Sequence, residues 1–217
     1  LFASTPDAAK LYQACETARN VYPQSAYVAF VRAFALEQLG EVDLAIAGFR
    51  RALILEPRWV PARVRLARVL IATGQYSTAF VECAEALRQN PGYEPGYDVV
   101  LRSALKIADR NVSAPESWSS QTVSTLDTLA GLAKDESTRR LLQATRERIS
   151  GNQVEADRLA LEFARNSELL EAEEAEILAL IATGEAARNE IAQLAGRTAG
   201  LTVPRLVELA TEIADRD

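Results

Sequence analysis

The sequence predicts an all-α fold of stacked antiparallel helical hairpins, and three observations predict it. First, the stretches GEVDLAIAGFRRALILEP (40–57) and GQYSTAFVECAEALRQNP (74–91) share residues at a constant separation of 34 positions. The pairs are Gly40 and Gly74, Ala45 and Ala79, Ala52 and Ala86, Leu53 and Leu87, and Pro57 and Pro91. Second, apolar residues recur at three- and four-residue spacings, the signature of one helical face. Third, Ala is abundant while Gly (10) and Pro (8) are few in 217 residues, so long helices are uninterrupted and almost no strand is expected.

Each element follows in order. Residues 7–22 form a helix that ends before Pro23 and stands 34 residues ahead of the helix ending at Pro57, since Cys15, Ala18 and Pro23 match Phe49, Ala52 and Pro57. SAYVAFVRAFALEQL (25–39) is the next helix, Gly40 is its turn, and VDLAIAGFRRALIL (42–55) returns antiparallel until Pro57 stops it. The same hairpin repeats around Gly74 and ends at Pro91. Ala45 and Ala52 are small because closely crossing helices need a groove, Ala45 against its own hairpin partner and Ala52 against the next hairpin. One hairpin cannot bury both faces and must stack on a neighbour.

After Asp109 the period slips. RNVSAPESWSSQ (110–121) reads as an irregular loop, and TVSTLDTLAGLAK (122–134) as a helix completing a broken fourth hairpin. Residues 137–166 give a helix, a turn at Gly151 and a helix, with Ala144, Ala156 and Ala160 as small contacts. LALIATG (178–184) repeats VLIATG (69–74) and places another turn at Gly184, and VPRLVELATEIAD (203–215) reads as a closing cap with a polar outer side. The chain is thus divided into 1–109, regular; 110–121, loop; and 122–217, degenerate hairpins and cap.

This pattern resembles the tetratricopeptide-repeat (TPR) family, whose repeat ends in Ala, three residues, Phe, and later Pro. Ala45, Phe49 and Pro57 match literally; Leu66, Ala67, Leu70, Gly74, Tyr76, Ala79, Ala86 and Pro91 follow, with Cys83 in the Phe position. The resemblance is strong over 7–97 and weaker beyond, and the chain departs from it at Arg32, where the family has Leu, and at Ala29 and Arg63, where it has Trp. It implies a right-handed superhelical α-solenoid whose concave groove, lined by the first helix of each hairpin, holds a protein or peptide. Carried onto this sequence, the groove rows are Tyr27, Phe30, Val31 and Phe34; Val64, Arg65 and Arg68; and Asp98, Arg102 and Lys106. Phe34, Arg68 and Arg102 form one rung, and Val31, Arg65 and Val99 another. An aromatic end running into a basic middle implies an acidic partner with apolar anchors. The Lys and Asn pattern with which chaperone-binding members grip a terminal carboxylate is absent.

Chemistry narrows the function further. There is no histidine, the commonest general base and metal ligand, and no glycine-rich phosphate loop, so no enzyme, no cofactor and no metal are expected. Cys15 and Cys83 occupy equivalent repeat positions and read as small core residues. Glu168, Glu171, Glu173, Glu174 and Glu176 read as a solvated helix face, because consecutive positions point in different directions. NVS (111–113) is a weak match to a glycosylation acceptor. A net charge of -6 without a continuous basic face argues against nucleic acid, and no apolar run reaches the roughly 18 residues of a membrane span.

Leu at position 1 and the absence of Met lead to the expectation of further sequence upstream. The helix over 7–22 would then expose an apolar flank to upstream residues, a second copy or a partner. Arg outnumbers Lys 21 to 3, which with the Ala content suggests a GC-rich bacterial source and a cytoplasmic or periplasmic address. The leading expectation is a non-enzymatic interaction scaffold; the alternative is a regulatory or substrate-recruiting domain of a larger enzyme or bacterial secretion or assembly machine.

Overall fold

Three glycines set the hairpins. Gly40, Gly74 and Gly151 have φ of 82°, 75° and 81°, in the left-handed region where a Cβ is strained. Each closes its helix in the same way: the glycine N–H donates three residues back, and the next N–H donates five residues back. For Gly40 these bonds run to Glu37 (3.0 Å) and from Glu41 to Leu36 (2.9 Å). For Gly74 they run to Ile71 (2.9 Å) and from Gln75 to Leu70 (2.8 Å).

The computed structural model describes residues 6–109, 116–167 and 172–198, all of whose regular structure is helical. Contacts divide the chain into two units, 1–99 and 100–217. In the first, α1 (Pro6–Val21) is followed by the hairpins α2 (Ala26–Gln38) with α3 (Val42–Leu55) and α4 (Val60–Ala72) with α5 (Tyr76–Gln89). The predicted register holds to the residue: α1, α3 and α5 end at positions 21, 55 and 89. The loops after them repeat it, with N–H donation from Tyr22 to Ala18, Glu56 to Ala52 and Asn90 to Ala86.

Ala45, Ala52, Ala79, Ala86, Phe49 and Leu87 are fully buried, as the repeated offsets require. Burying a Phe or Leu side chain contributes roughly 1.5–3 kcal/mol, so the repeated positions carry much of the core. A close approach that the offsets did not reveal occurs at Gly48, where an added Cβ would lie 2.7 Å from Ala33 Cβ. Cys83, in the Phe position, makes room for α6 (Pro95–Asp109), and its Sγ lies 3.1 Å from Gly96 O. Cys15 and Cys83 are both buried thiols outside any disulfide, and burial pushes the Cys15 thiol up.

The departures from the repeat pattern are polar solutions to the same packing problem. Arg32, in a Leu position, reaches α1: its Nε donates to Glu16, its terminal nitrogen to Tyr12 Oη (3.2 Å), and its guanidinium lies 5.2 Å from the Tyr12 ring centroid. Arg63, in a Trp position, bridges to Glu82 (2.5 Å) and to the Pro57 carbonyl (2.8 Å). Along the expected apolar flank of α1, Leu11, Tyr12 and Ala18 are half-buried. Its outward residues are Lys10, Gln13, Ala14 and Thr17, polar or small, with Val21 exposed at its end, while Ala8 and Cys15 face inward and are buried.

The second unit contains most of α6, then α7 (Glu116–Leu132), α8 (Glu136–Ile149), α9 (Gln153–Asn166), α10 (Ala172–Ile181) and α11 (Glu185–Thr198). Helix α7 corrects the expected loop over 110–121: residues 116–121 are helical. The serines at 117, 119 and 120 are only mildly unfavourable in a helix. The α8–α9 hairpin turns at Gly151 and buries Ala144, Ala156 and Ala160 as expected.

Gly184 does lie between two helices, but for a different reason. Asp157 of α9 accepts from the N–H groups of Thr183 (2.7 Å) and Gly184 (3.0 Å) at the start of α11. A Cβ at 184 would meet Asp157 Oδ2 at 2.7 Å, so any larger residue there would displace the Asp157 carboxylate. The acidic stretch is also corrected in part. Glu176 is half-buried and paired with Arg102 at 2.5 Å, so it is no solvated face. Glu168, Glu171, the NVS sequence and the cap at 203–215 lie outside the described residues. No helix among the described residues is long and apolar enough to cross a membrane.

Candidate partner-binding cleft

The first unit carries an open cleft of about 400 Å³ lined by Phe30, Phe34, Pro61, Val64, Arg65, Arg68, Tyr93 and Pro95. Five of these were predicted from the sequence: Phe30, Phe34, Val64, Arg65 and Arg68. The repeat explains their convergence. Phe30 and Val64 hold equivalent positions on α2 and α4, as do Phe34 and Arg68, so stacking two hairpins sets them side by side. Val64 is 2% exposed, and Phe30 and Phe34 are half-buried.

Aromatic packing fixes one wall. Phe30 lies against Phe49 (centroids 5.5 Å apart) and Trp59 (4.8 Å), and Tyr27 stacks on Trp59 at 6.3 Å and 22°. Each such pair adds about 0.5–1.5 kcal/mol beyond area burial. The wall is therefore preorganised. Tyr27 itself is 66% exposed at the edge of this aromatic group and does not line the cleft, nor does half-buried Val31.

The two predicted arginines differ in kind. Arg65 donates through Nε to Glu37 at 2.7 Å and lies 4.8 Å from the Phe34 ring centroid, so its charge is already matched by a buried carboxylate. Arg68 is exposed and has no hydrogen bond or ion pair among the described residues. Among the described residues that line the cleft, the expected basic middle thus narrows to one uncommitted cation, Arg68. Arg102, tied to Glu176, and Lys106 belong to the second unit and do not line the cleft.

Pro61, Tyr93 and Pro95 fall outside the helical groove rows that the repeat pattern designates, and so were not predicted. A signal existed. Trp59 and Tyr93 are 34 residues apart, as are Pro61 and Pro95, and each pair marks the turn entering a hairpin's first helix. Tyr93 N–H donates to Asn90 O (3.1 Å) just as Trp59 N–H donates to Glu56 O (3.2 Å).

Comparison with solved structures defines the class of fold. The chain is similar to a thermophilic TPR protein of Thermus thermophilus, at 19% identity and TM-score 0.57, covering 88% of this chain and 98% of that one. It is similar also to YrrB, described as a TPR protein with an unusual peptide-binding site, at 14% identity and TM-score 0.53, covering 94% and 99%. No family model matches the sequence, and no curated protein matches it. The chain has the all-helical repeat fold of tetratricopeptide-repeat proteins.

Proposed function

We propose that this chain is a non-enzymatic protein-interaction module that holds a peptide or partner surface in the cleft of its first unit. The observation that carries this reading is the convergence of Phe30, Phe34, Val64 and Tyr93 with the unpartnered Arg68 around one open, largely apolar cleft. A concave apolar site with a few convergent polar groups is the usual form of a binding pocket, and about 400 Å³ falls within the roughly 300–1,000 Å³ such pockets span. Apolar anchors supply the affinity, and an acidic group on the partner meets Arg68. The fold of YrrB, with its peptide-binding site, supports the same reading. The absence of histidine leaves general acid–base work without its commonest residue.

Charge reversal at Arg68 tests this. Arg65 is unsuitable, because reversing it would set a second carboxylate beside buried Glu37 and unsettle the fold. Peptides selected by the wild-type chain from a displayed random library are measured against Arg68→Glu, with circular dichroism confirming the fold. The expected result is a loss of at least about tenfold in affinity, about 1.4 kcal/mol. Unchanged binding by the folded variant would place the site elsewhere.

A further inference from the structure

The polar groups of the cleft are matched to one kind of ligand backbone. Arg68 is a donor only, and Arg65 is a donor only, with its terminal nitrogens outside its single bond to Glu37. One oxygen of the Glu37 carboxylate is taken by Arg65, and Glu37 does not line the cleft. The Tyr93 carbonyl, at the rim, already accepts from Gly96 N–H (3.0 Å), the Trp59 carbonyl accepts from Arg63 N–H (3.1 Å), and the carbonyls of α2 and α4 serve their own helices. Only the Tyr93 hydroxyl among the lining side chains can accept at all. The cleft is rich in donors and poor in acceptors.

An ordinary extended peptide brings one N–H per residue into such a site, and each N–H buried without an acceptor costs about 1–3 kcal/mol. Proline brings a carbonyl and no N–H. Its ring packs flat on aromatic faces of the kind that Phe30, Phe34 and Tyr93 provide, and a proline-rich segment is already extended, so little order is lost on binding. The charge completes the match, since Arg68 is uncommitted and Arg65 is neutralised.

We propose, on the reading of the cleft as the partner site, that it selects an extended proline-containing segment carrying an acidic residue. The prolines lie on Phe30, Phe34 and Tyr93, their carbonyls accept from the guanidinium groups, and the acidic side chain pairs with Arg68. A helical ligand would present no such advantage, because its backbone is already satisfied and its proline content low.

The probe is a fluorescein-labelled octapeptide Pro-Pro-Asp-Pro-Pro-Asp-Pro-Pro, compared by anisotropy with versions in which Ala replaces Pro or Lys replaces Asp, on the full chain. The expected order is tightest for the parent, at least about fivefold weaker with Ala and at least about tenfold weaker with Lys. The Lys penalty shrinks or inverts on Arg68→Glu. Equal binding of the Pro and Ala versions, or no binding of the parent, overturns the proposal. The random-library selection separates this from the wider reading: peptides lost on Arg68→Glu but not enriched in proline would sink the proline inference alone. Retention that ignores Arg68→Glu would remove the cleft itself.

Discussion

Removing Arg65 should damage the fold, whereas removing Arg68 should not, although both arginines line the same cleft. Arg65→Met keeps most of the aliphatic stem and a contact to Phe34 but leaves the Glu37 carboxylate, 7% exposed, without its partner at 2.7 Å. Breaking a buried ion pair from one side costs about 3–5 kcal/mol, and the 27% exposure of Arg65 admits water that lowers this to about 2–3 kcal/mol. For a chain of this size that corresponds to a Tm fall of about 5–10 °C. Glu37→Gln should cost less, about 1 kcal/mol, because the remaining cation reaches solvent. The double variant should recover to within about 1 kcal/mol of wild type, since neither buried charge remains. Urea unfolding of all four proteins, followed by far-ultraviolet circular dichroism, measures the cycle. An Arg65→Met variant within about 0.5 kcal/mol of wild type would refute the assignment of the Arg65–Glu37 pair as a structural contact.

Other perturbations test the packing. Gly48→Ala should lose about 1–2 kcal/mol despite its better helix propensity, because its Cβ would crowd Ala33, and Ala33→Gly should relieve the crowding; full stability of the single variant contradicts the close crossing. Gly184→Ala should weaken the clamp of Asp157 on α11 by about 1–2 kcal/mol, seen as faster amide exchange at residues 183 and 184, and unaltered exchange would refute it. The hydrogen bond from Arg32 holds the Glu16 carboxyl below its ordinary value. Its folded pKa being depressed, Glu16 adds stability that is present above the unfolded pKa of about 4.3 and lost as pH falls through the folded value. Glu16→Gln should therefore flatten the acid limb of a stability–pH profile, and an unchanged slope would contradict the pairing.

How much was legible in the sequence follows from what set each feature. The hairpins of the first unit were, because Gly40 and Gly74, the buried alanines and the helix ends all answer to one repeated contact set. Five cleft residues came with them, since a periodic stack carries equivalent positions to the same face. Pairing was not legible. Arg65 finds Glu37 28 residues away and Arg63 finds Glu82 19 residues away, choices that depend on side-chain reach rather than on period. The start of α7 was hidden by its serines, and the role of Gly184 by its likeness to Gly74, because a glycine that yields space and one that adopts positive φ look the same in a sequence. Pro61, Tyr93 and Pro95 stayed hidden because a turn between hairpins reads as punctuation in a sequence, while in the stack it becomes the rim of the cleft.

Where the partner sits can be read directly by photo-crosslinking. A peptide that binds the wild-type chain is resynthesised with a benzophenone side chain at its apolar anchor, irradiated in the complex, and the adduct mapped by mass spectrometry. Binding in the cleft predicts adducts confined to Phe30, Phe34, Val64, Tyr93 and their immediate neighbours, lost when excess unlabelled peptide is added. Adducts concentrated on the outer residues of α3 and α5, such as Leu44, Ile54 or Val81, or in the second unit, would contradict it.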